Sequence, residues 1–352
     1  MNGVAYRRID HRDGDPYLTE ARTGRLTDQP ARVVIAPLAV GVCRSDLREL
    51  TGTRHLRRDF GHEIVAEVRH STLPGVLDAG QRVVLDPHPV VHRTSGFADL
   101  VEIEGTAANV TAALRPVPAG QDPMIALFTE PLACAAHCVA RLDAVTAGAA
   151  GSPVAIVGAG IAGTLMAGIL RARGVDVHLF NRGAPRLRFL RERDVLPGVG
   201  LHPTGRPGPA RFGRVVLATA AAAEPALELA ADLLTPDGLL LIYAGTEPGD
   251  RFRGLDLDDL RRREQLRTAG AGRRRIRIAG SHGATTADFA TATGLLRDAG
   301  TGPALRSALH RLIDVRAALQ DGPALLRDMA GRPYAGKAVL TPGPTDTNGA
   351  TP

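Results

Sequence analysis

The sequence predicts an α/β protein with two domains, one rich in β-strands and one built on a doubly wound parallel sheet. The length of 352 residues suits two domains. Short strand-like runs dominate residues 1–150, and strands alternate with helices from Ser152 onward. We therefore predict a β-rich domain over 1–150 and 286–345, a parallel-sheet domain over 151–285, and a flexible tail over 346–352.

The composition is that of an ordinary globular protein, with 44% hydrophobic and 23% charged residues. Runs of about 18 apolar residues and an apolar N-terminal segment are missing, so we expect a cytoplasmic protein without a membrane partner. The net charge of +6 comes from arginine, since Lys337 is the single lysine. Outside Arg261–Arg263 and Arg273–Arg275 the arginines are scattered, which favours solvated surfaces or cofactor contacts over a nucleic-acid partner.

The first part of the chain alternates short apolar runs with Gly, Pro and Asp turns. This pattern predicts strands at Arg32–Pro37, Glu63–Val68, Arg82–Asp86 and Ala98–Glu104, as in a small barrel-like domain. From Pro123 to about Leu142 the pattern predicts one helix.

The second part begins with the strand PVAIVGAG, followed by the helix IAGTLMAGILRARG, which ends at Gly174, and by the strand VDVHLFN. The later runs RVVLATA and GLLLIYAG predict further strands, separated by helix-compatible stretches. Alternating strands and helices indicate right-handed βαβ units on a parallel sheet.

A glycine motif marks the turn between the first strand and helix of this part. Gly158, Gly160 and Gly163 form G-x-G-x-x-G, and Ile161 and Ala162 begin the helix. The first glycine permits the tight turn, the second lets the backbone approach a pyrophosphate, and the third allows close helix–strand packing. In this context the motif predicts a Rossmann dinucleotide site.

The end of the second strand bears on cofactor choice. NAD sites usually place Asp or Glu there, whereas this chain has Asn181, followed by Arg182 and Arg186. A carboxylate repels a 2′-phosphate, while a guanidinium binds it through two parallel hydrogen bonds. We therefore expect NADP; in the alternative, Asn181 accepts NAD and the arginines only reflect the composition.

Four residues have the side chains of a catalytic zinc site. Such a site needs about three ligands from Cys, His and carboxylates, with one open position. Cys43 offers a thiolate, His62 an imidazole, and either Glu63 or Glu130 a carboxylate. Alternatively, Cys43 is a buried structural thiol, His62 a paired core histidine and Glu130 a surface residue.

Several ordered segments resemble the zinc-dependent medium-chain dehydrogenase/reductase family, which includes alcohol, sorbitol and glucose dehydrogenases. The segments are GVCRSDLRELTG from Gly41, FGHEIVAEV from Phe60, TEPLACAAHCV, PDGLLLIYAG, IAGSHGATTADF and AGKAVL. The resemblance implies a GroES-like β-rich catalytic domain joined to the Rossmann domain, with one catalytic zinc. It matches the family's metal residues to Cys43, His62 and Glu63, and its Glu-Pro to Glu130–Pro131.

The resemblance also implies roles for the neighbouring residues. Ser45 matches the hydroxyl that exchanges the alcohol proton, and Asp46 matches a carboxylate that orients the histidine ligand. Glu63 belongs to the same catalytic group, while Arg44 is expected at the cofactor pyrophosphate. The implied activity is hydride transfer between NADP(H) and a secondary alcohol or ketone of a polyol, sugar or aminocyclitol, in a homodimer or homotetramer.

Two departures from the family pattern stand out. The four-cysteine lobe for a structural zinc is missing, and its place holds HPVVHRTSGFADL, where we interpret His88 and His92 as loop residues or substrate contacts. Arg48 occupies the position of a frequent proton-relay histidine and stays protonated. The remaining candidates for the relay are His55, Asp59 and Glu130.

Other readings of the sequence remain open. The lost relay histidine also suits a medium-chain reductase of a conjugated or iminium substrate. A catalytically inactive NADP-binding protein is the alternative outside enzymes. Cys134 and Cys138, four residues apart in the predicted helix, are expected to be small buried thiols and not a disulfide.

Overall fold

A computed structural model describes residues 3–53, 60–146, 152–205, 212–272, 275–332 and 334–343. The chain forms two compact units, one made of residues 1–130 and 313–352 and the other of residues 131–312. We call them the β-rich unit and the doubly wound unit. Within the described ranges, no helix is long and apolar enough to cross a membrane.

The strands, numbered along the chain, are β1 (Ala5–Arg12), β2 (Asp15–Arg22), β3 (Ala31–Gly41), β4 (Glu63–Ser71), β5 (Arg82–Leu85), β6 (His92–Arg93), β7 (Val101–Gly105), β8 (Leu114–Pro116), β9 (Val154–Val157), β10 (Val177–Asn181), β11 (Gly200–Pro203), β12 (Phe212–Leu217), β13 (Leu234–Ile242), β14 (Arg251–Phe252), β15 (Leu255–Asp256), β16 (Leu266–Ala269), β17 (Ile276–Gly280), β18 (Ile313–Ala318) and β19 (Lys337–Thr341). The helices are α1 (Arg44–Leu50), α2 (Ala107–Ala113), α3 (Pro123–Ala126), α4 (Thr129–Val145), α5 (Ile161–Ala172), α6 (Ala184–Glu192), α7 (Glu224–Asp232), α8 (Leu257–Arg262), α9 (Thr286–Arg297), α10 (Gly302–Leu312) and α11 (Gly322–Gly331).

The sheet of the β-rich unit is organised around β3, which is buried along nearly its whole length. Strand order is β18-β19-β3-β4-β5-β8, with β7 pairing to the first half of β3 and β6 pairing to β7. Apolar side chains from both faces of β3 and from one face of β4 join one core with residues of α11. At its end, Gly41 pairs with Glu63 on one side and Val339 on the other. This end of the sheet therefore positions the segments around Cys43 and Glu63.

The doubly wound unit has the predicted Rossmann topology. Its sheet order is β11-β10-β9-β12-β13-β17-β16, and every pairing is parallel except that of β16 with β17. The six parallel strands follow the dinucleotide-binding order, with the reversal between β9 and β12. The carboxyl ends of β9 and β10 carry the glycine turn and Asn181, so the fold places both at the edge where such sheets bind ligands.

Two predicted elements differ from the structure. The helix predicted from Pro123 to about Leu142 is two helices, α3 and α4. The hydroxyl of Thr129 donates to the carbonyl of Ala126 at 2.7 Å, and Pro131 lies in the first turn of α4, where its missing N–H is not needed. The strand predicted from Ala98 begins only at Val101, because the preceding residues form a turn closed by the Ala98 N–H and the Gly96 carbonyl.

The two units also have bounds that differ from the predicted domain boundaries near 150 and 286. Most of α4 belongs to the doubly wound unit, where Arg141 donates to the carbonyls of Glu264 and Gly280. Arg277 of β17 donates to the carbonyl of Val145 at 3.1 Å. Helices α9 and α10 pack on each other, and α10 packs on α5, so they too belong to this unit. The predicted tail over 346–352 lies outside the described residues.

A buried charge network secures the loop before β3. Arg32 donates to Glu102 at 2.8 Å and lies 3.4 Å from Glu104, with all three side chains at most 8% exposed. Glu102 also accepts from the Gly24 N–H at 2.9 Å, and Glu104 accepts from Thr27. One guanidinium therefore balances two buried carboxylates that hold the loop over residues 24–27.

We expect Arg32→Met to lower the free energy of unfolding by about 3–5 kcal/mol, because two buried carboxylates lose their shared cation. Equilibrium denaturation in urea at neutral pH measures this loss. Arg69→Met is the matched control, since Arg69 pairs with Glu67 at 2.8 Å while 36% and 27% of the two side chains are exposed. The control should lose less than about 1 kcal/mol, and equal losses in the two variants would contradict the expectation.

The thiol of Cys138 is fully buried on α4, in the doubly wound unit. Burial, aided by the negative charge of Glu264, raises its pKa to about 12, although a hydrogen bond with Ser281 opposes the shift. The folded chain therefore keeps this proton over a pH range in which the unfolded chain, with a thiol pKa of about 8.5, releases it. The stability linked to Cys138 is complete below the unfolded pKa and is lost as the pH rises toward 12.

We expect the free energy of unfolding to fall between pH 7.5 and pH 10 more steeply in the wild-type chain than in Cys138→Ala. Urea denaturation at a series of pH values gives both slopes, and Cys134→Ala serves as a control because Cys134 is only partly buried. Parallel slopes in the wild type and Cys138→Ala would show that the Cys138 thiol does not titrate differently in the folded state.

Candidate active site

Three possible metal ligands converge in the β-rich unit. Cys43 is the N-cap of α1, directly after β3, while His62 and Glu63 lie at the start of β4. Ligand atoms of these three side chains all lie within 4.8 Å of one another. Glu63 is buried, and Cys43 and His62 are half-buried. The sheet thus brings a thiol, an imidazole and a carboxylate to one point.

Asp46 links the two segments that carry these ligands. One carboxylate oxygen accepts from the Cys43 N–H at 2.9 Å, and the other accepts from the Gly61 N–H at 2.8 Å and lies 3.2 Å from His62 Nδ1. Burial alone would raise the pKa of Asp46, but the charge and hydrogen bond of His62 and the two backbone N–H groups outweigh it and lower that pKa. Because the carboxylate only accepts, His62 carries a proton on Nδ1 and leaves Nε2 for a ligand.

Glu63 forms a buried ion pair that the sequence pattern did not reveal. Its partner is Lys337 of β19, whose Nζ also donates to the carbonyl of Val42 at 3.1 Å. Burial would lower the pKa of Lys337, but the negative charges of Glu63 and then Cys43 outweigh it and raise that pKa. A Cβ at Gly41 would overlap the Glu63 carboxylate and lie 2.8 Å from Lys337 Cε, so glycine there leaves room for the pair.

Glu130 lies near His62 and belongs to the first turn of α4. Its Oε1 is 4.0 Å from His62 Nε2, and 12% of its side chain is exposed. Burial raises the pKa of Glu130, as does the charge of Glu63, against the opposing charges of His62, Lys337 and His88. The cluster therefore holds a buried carboxylate, a half-buried carboxylate and a thiol with few cations, a donor set that fits a borderline-soft divalent ion such as zinc.

The other predicted residues of this segment are placed as follows. Ser45 follows Cys43 on α1, and its buried Oγ has no hydrogen-bond partner among the residues that the structure describes. Arg44 is exposed. Arg48 donates to the carbonyl of Thr53 at 2.8 Å, which directs its guanidinium to the turn after α1. The relay candidates His55 and Asp59 lie outside the described residues.

The glycine motif of the doubly wound unit has the geometry of a phosphate-binding turn. Gly158 adopts a φ of +117°, and a Cβ there would lie 2.6 Å from the carbonyl oxygen of Ala218. A Cβ at Gly163 would overlap the Gly158 carbonyl oxygen. Among the described residues, a Cβ at Gly160 would meet only Arg186 Nη1, at 3.5 Å, so there is open space above this glycine. That space is where a pyrophosphate approaches in this fold.

The residues predicted to select the cofactor lie around this turn. Asn181 accepts from the Ala159 N–H at 3.2 Å and donates to the carbonyl of Gly183 at 2.9 Å. Arg186 of α6 reaches back to the Ala159 carbonyl at 3.4 Å, whereas Arg182 is exposed beside Asn181. Ile161 and Ala162 form the first turn of α5. The guanidinium of Arg186 therefore lies at the glycine turn. Asn181, an amide, occupies the strand end at which NAD sites usually place a carboxylate that binds the ribose.

The doubly wound unit with its glycine turn and the β-rich unit with its Cys–His–Glu cluster agree with the two-domain α/β fold that the sequence predicts. No family model and no curated protein matches the sequence. The likeness is found instead in solved structures, and it is a likeness of fold.

Three solved structures show this fold over their whole length. TarJ of S. aureus in complex with NADPH has a TM-score of 0.72 and 18% identity, over 97% of this chain and 100% of that chain. A Sinorhizobium meliloti protein described as a zinc-binding dehydrogenase, bound to NADP, has a TM-score of 0.70 and 20% identity, over 96% and 100%. The 2R,3R-butanediol dehydrogenase of Bacillus subtilis has a TM-score of 0.71 and 16% identity, over 96% and 100%.

Proposed function

We propose that the protein is a zinc-dependent oxidoreductase that transfers a hydride between NADP(H) and a secondary alcohol or ketone. The convergence of Cys43, His62 and Glu63, whose ligand atoms all lie within 4.8 Å of one another, is the observation that supports this most directly. Burying acidic groups together is unfavourable unless a cation compensates them, and Lys337 compensates only one. The fold shared with solved dehydrogenases supports the same reaction class.

Cys43, His62 and Glu63 would hold the zinc ion, with Glu130 beside His62 Nε2 as a fourth donor or as the third in place of Glu63. Bound there, zinc supplies a Lewis acid that polarises a carbonyl or lowers the pKa of an alcohol. Asp46 keeps His62 in the tautomer that presents Nε2. Lys337 neutralises Glu63 and so limits the repulsion between the two carboxylates.

Ser45 is the proposed exchange point for the alcohol proton, because its buried Oγ has no hydrogen-bond partner among the described residues and a hydroxyl can both accept and donate a hydrogen bond. Arg48 does not continue a proton path, since it stays protonated and binds the Thr53 carbonyl. Of the three relay candidates, Glu130 is the one that lies within the described residues. With its raised pKa, we propose it as the next proton acceptor.

The dinucleotide would bind over the glycine turn, with its pyrophosphate at Gly160 and the first turn of α5. NADP supplies the hydride acceptor of the reaction. Asn181 holds the turn and brings no negative charge, while Arg182 and Arg186 bind the 2′-phosphate. We also assign Arg44, exposed at the start of α1, to the cofactor phosphates.

We propose a polyol, sugar or aminocyclitol as the substrate, because the two carboxylates make a polar surrounding for a hydroxyl-rich molecule. A solved structure of the same fold is a butanediol dehydrogenase. We propose that the protein assembles as a homodimer or homotetramer. The direction in which Arg48 points favours one second candidate, a reductase of a conjugated or iminium substrate, which needs no path for an alcohol proton.

We expect purified wild-type protein to contain about one zinc ion per chain, and Cys43→Ala and His62→Ala to lose it together with activity. NADPH binding should persist, because the glycine turn belongs to the other unit. Elemental analysis and fluorescence titration with NADPH measure the two properties. The matched controls are Cys134→Ala and His70→Ala, which lie outside the ligand cluster. Full activity of a zinc-free Cys43→Ala variant would refute the metal mechanism.

We expect Arg182→Ala and Arg186→Ala to weaken NADPH binding by about 1.5–3 kcal/mol each, the value of a hydrogen bond to a charged group. Binding of NADH should change much less, because it has no 2′-phosphate. Arg188→Ala is the control, since Arg188 is an exposed residue of the same helix. Titration calorimetry with both cofactors measures the preference, and an unchanged NADPH-to-NADH ratio would exclude both arginines as phosphate ligands.

A further inference from the structure

The loop between β5 and β6 lies beside the metal-type cluster. In the antiparallel pairing of β4 with β5, Val65 is opposite Val84, so the end of β5 that leads to Asp86 lies beside the start of β4, which follows His62. The far end of the loop is tied to the same place, because Arg93 Nη1 donates to the carbonyl of Gly61 at 3.2 Å. Both ends of residues 86–93 are thus fixed next to the segment that carries His62.

Asp86 fixes the orientation of His88 within this loop. The Asp86 side chain is fully buried, and its Oδ1 accepts from the His88 N–H at 3.0 Å and lies 2.8 Å from His88 Nδ1. Arg115 Nη2 lies 3.9 Å from the other carboxylate oxygen. Because a carboxylate only accepts, Nδ1 carries the proton, and in the neutral ring Nε2 is an acceptor on the opposite edge. A buried carboxylate thus sets both the position and the tautomer of the ring.

His88 lies in the loop whose two ends are fixed beside the segment that carries His62. A third of the His88 side chain is exposed, so solvent reaches the ring. A fixed imidazole acceptor therefore lies at an accessible place on the loop that borders the metal-type cluster.

We propose that His88 is a substrate-binding residue that accepts a hydrogen bond from a second hydroxyl group, next to the carbon that reacts. This inference rests on the proposed dehydrogenase function and defines its substrate class as vicinal diols and longer polyols. A site with a fixed polar group discriminates against a substrate that lacks the complementary hydroxyl, because the acceptor then remains unpaired. Asp86 is the positioning residue, acting through the ring that it orients.

The test compares two alcohols that differ by one hydroxyl, 2,3-butanediol and 2-butanol, using the zinc-loaded full chain with NADP. We expect the ratio of kcat/KM for the diol to kcat/KM for the mono-alcohol to fall about 5- to 20-fold in His88→Ala. The loss should lie mainly in KM for the diol. Asp86→Asn should lower the ratio in the same direction, and His88→Gln should retain part of it.

His92→Ala is the matched control, because His92 lies in the same segment over residues 86–93 and is exposed. Zinc content of each variant, measured separately, shows whether the cluster is intact. An unmoved ratio in His88→Ala, or an equal fall in His92→Ala, would overturn this inference while leaving the dehydrogenase function standing. If zinc-loaded wild-type protein oxidises neither alcohol nor any other polyol or secondary alcohol, the proposed function fails and this inference fails with it.

Discussion

The arrangement of the β-rich unit's cluster depends on the buried carboxylate of Asp46. Its two oxygens bind the backbone of Cys43, the backbone of Gly61 and the ring of His62. Two segments that are distant in sequence are thus locked at a fixed separation, and the imidazole is held in one tautomer. Without this carboxylate the two backbone N–H groups would be buried without their acceptor, which is unfavourable in itself. The donor atoms would then lose their common orientation.

Charge balance is the second constraint at this site. Lys337 compensates Glu63 from β19, while Glu130 Oε1 lies 4.0 Å from His62 Nε2. The positive charges of His62, Lys337 and His88 act against the burial that raises the pKa of Glu130. The two carboxylates therefore have different electrostatic environments within one cluster. Different environments for two similar acids are a common way to divide acid and base roles.

Local sequence signals predicted much of this fold, and long-range pairing explains what they missed. The apolar runs of β4 and β9 and the glycine turn were readable because their periodicity and turn chemistry are local. The break before α4 was missed because the Thr129 hydroxyl competes with the helix for the Ala126 carbonyl. The positions of Lys337 and Asp86 near the cluster are set by strand register. Apolar periodicity does not specify that register between distant strands. The sequence named the donor residues as one metal site, whereas the distances between their ligand atoms come from the structure.

The ion pair of Glu63 with Lys337 has a consequence for biosynthesis. Lys337 follows Val42, whose carbonyl it also binds, by 295 positions, and it reaches the cluster from β19. The doubly wound unit lies entirely between these positions, so its residues leave the ribosome before the counter-charge of Glu63 exists. Before β19 is made, β3 can already pair with β4 and with β7, and only its end at Val40 and Gly41 waits for Val339 and Leu340. Since domains generally fold as units during synthesis, Glu63 meets its lysine only after the whole doubly wound unit has been synthesised.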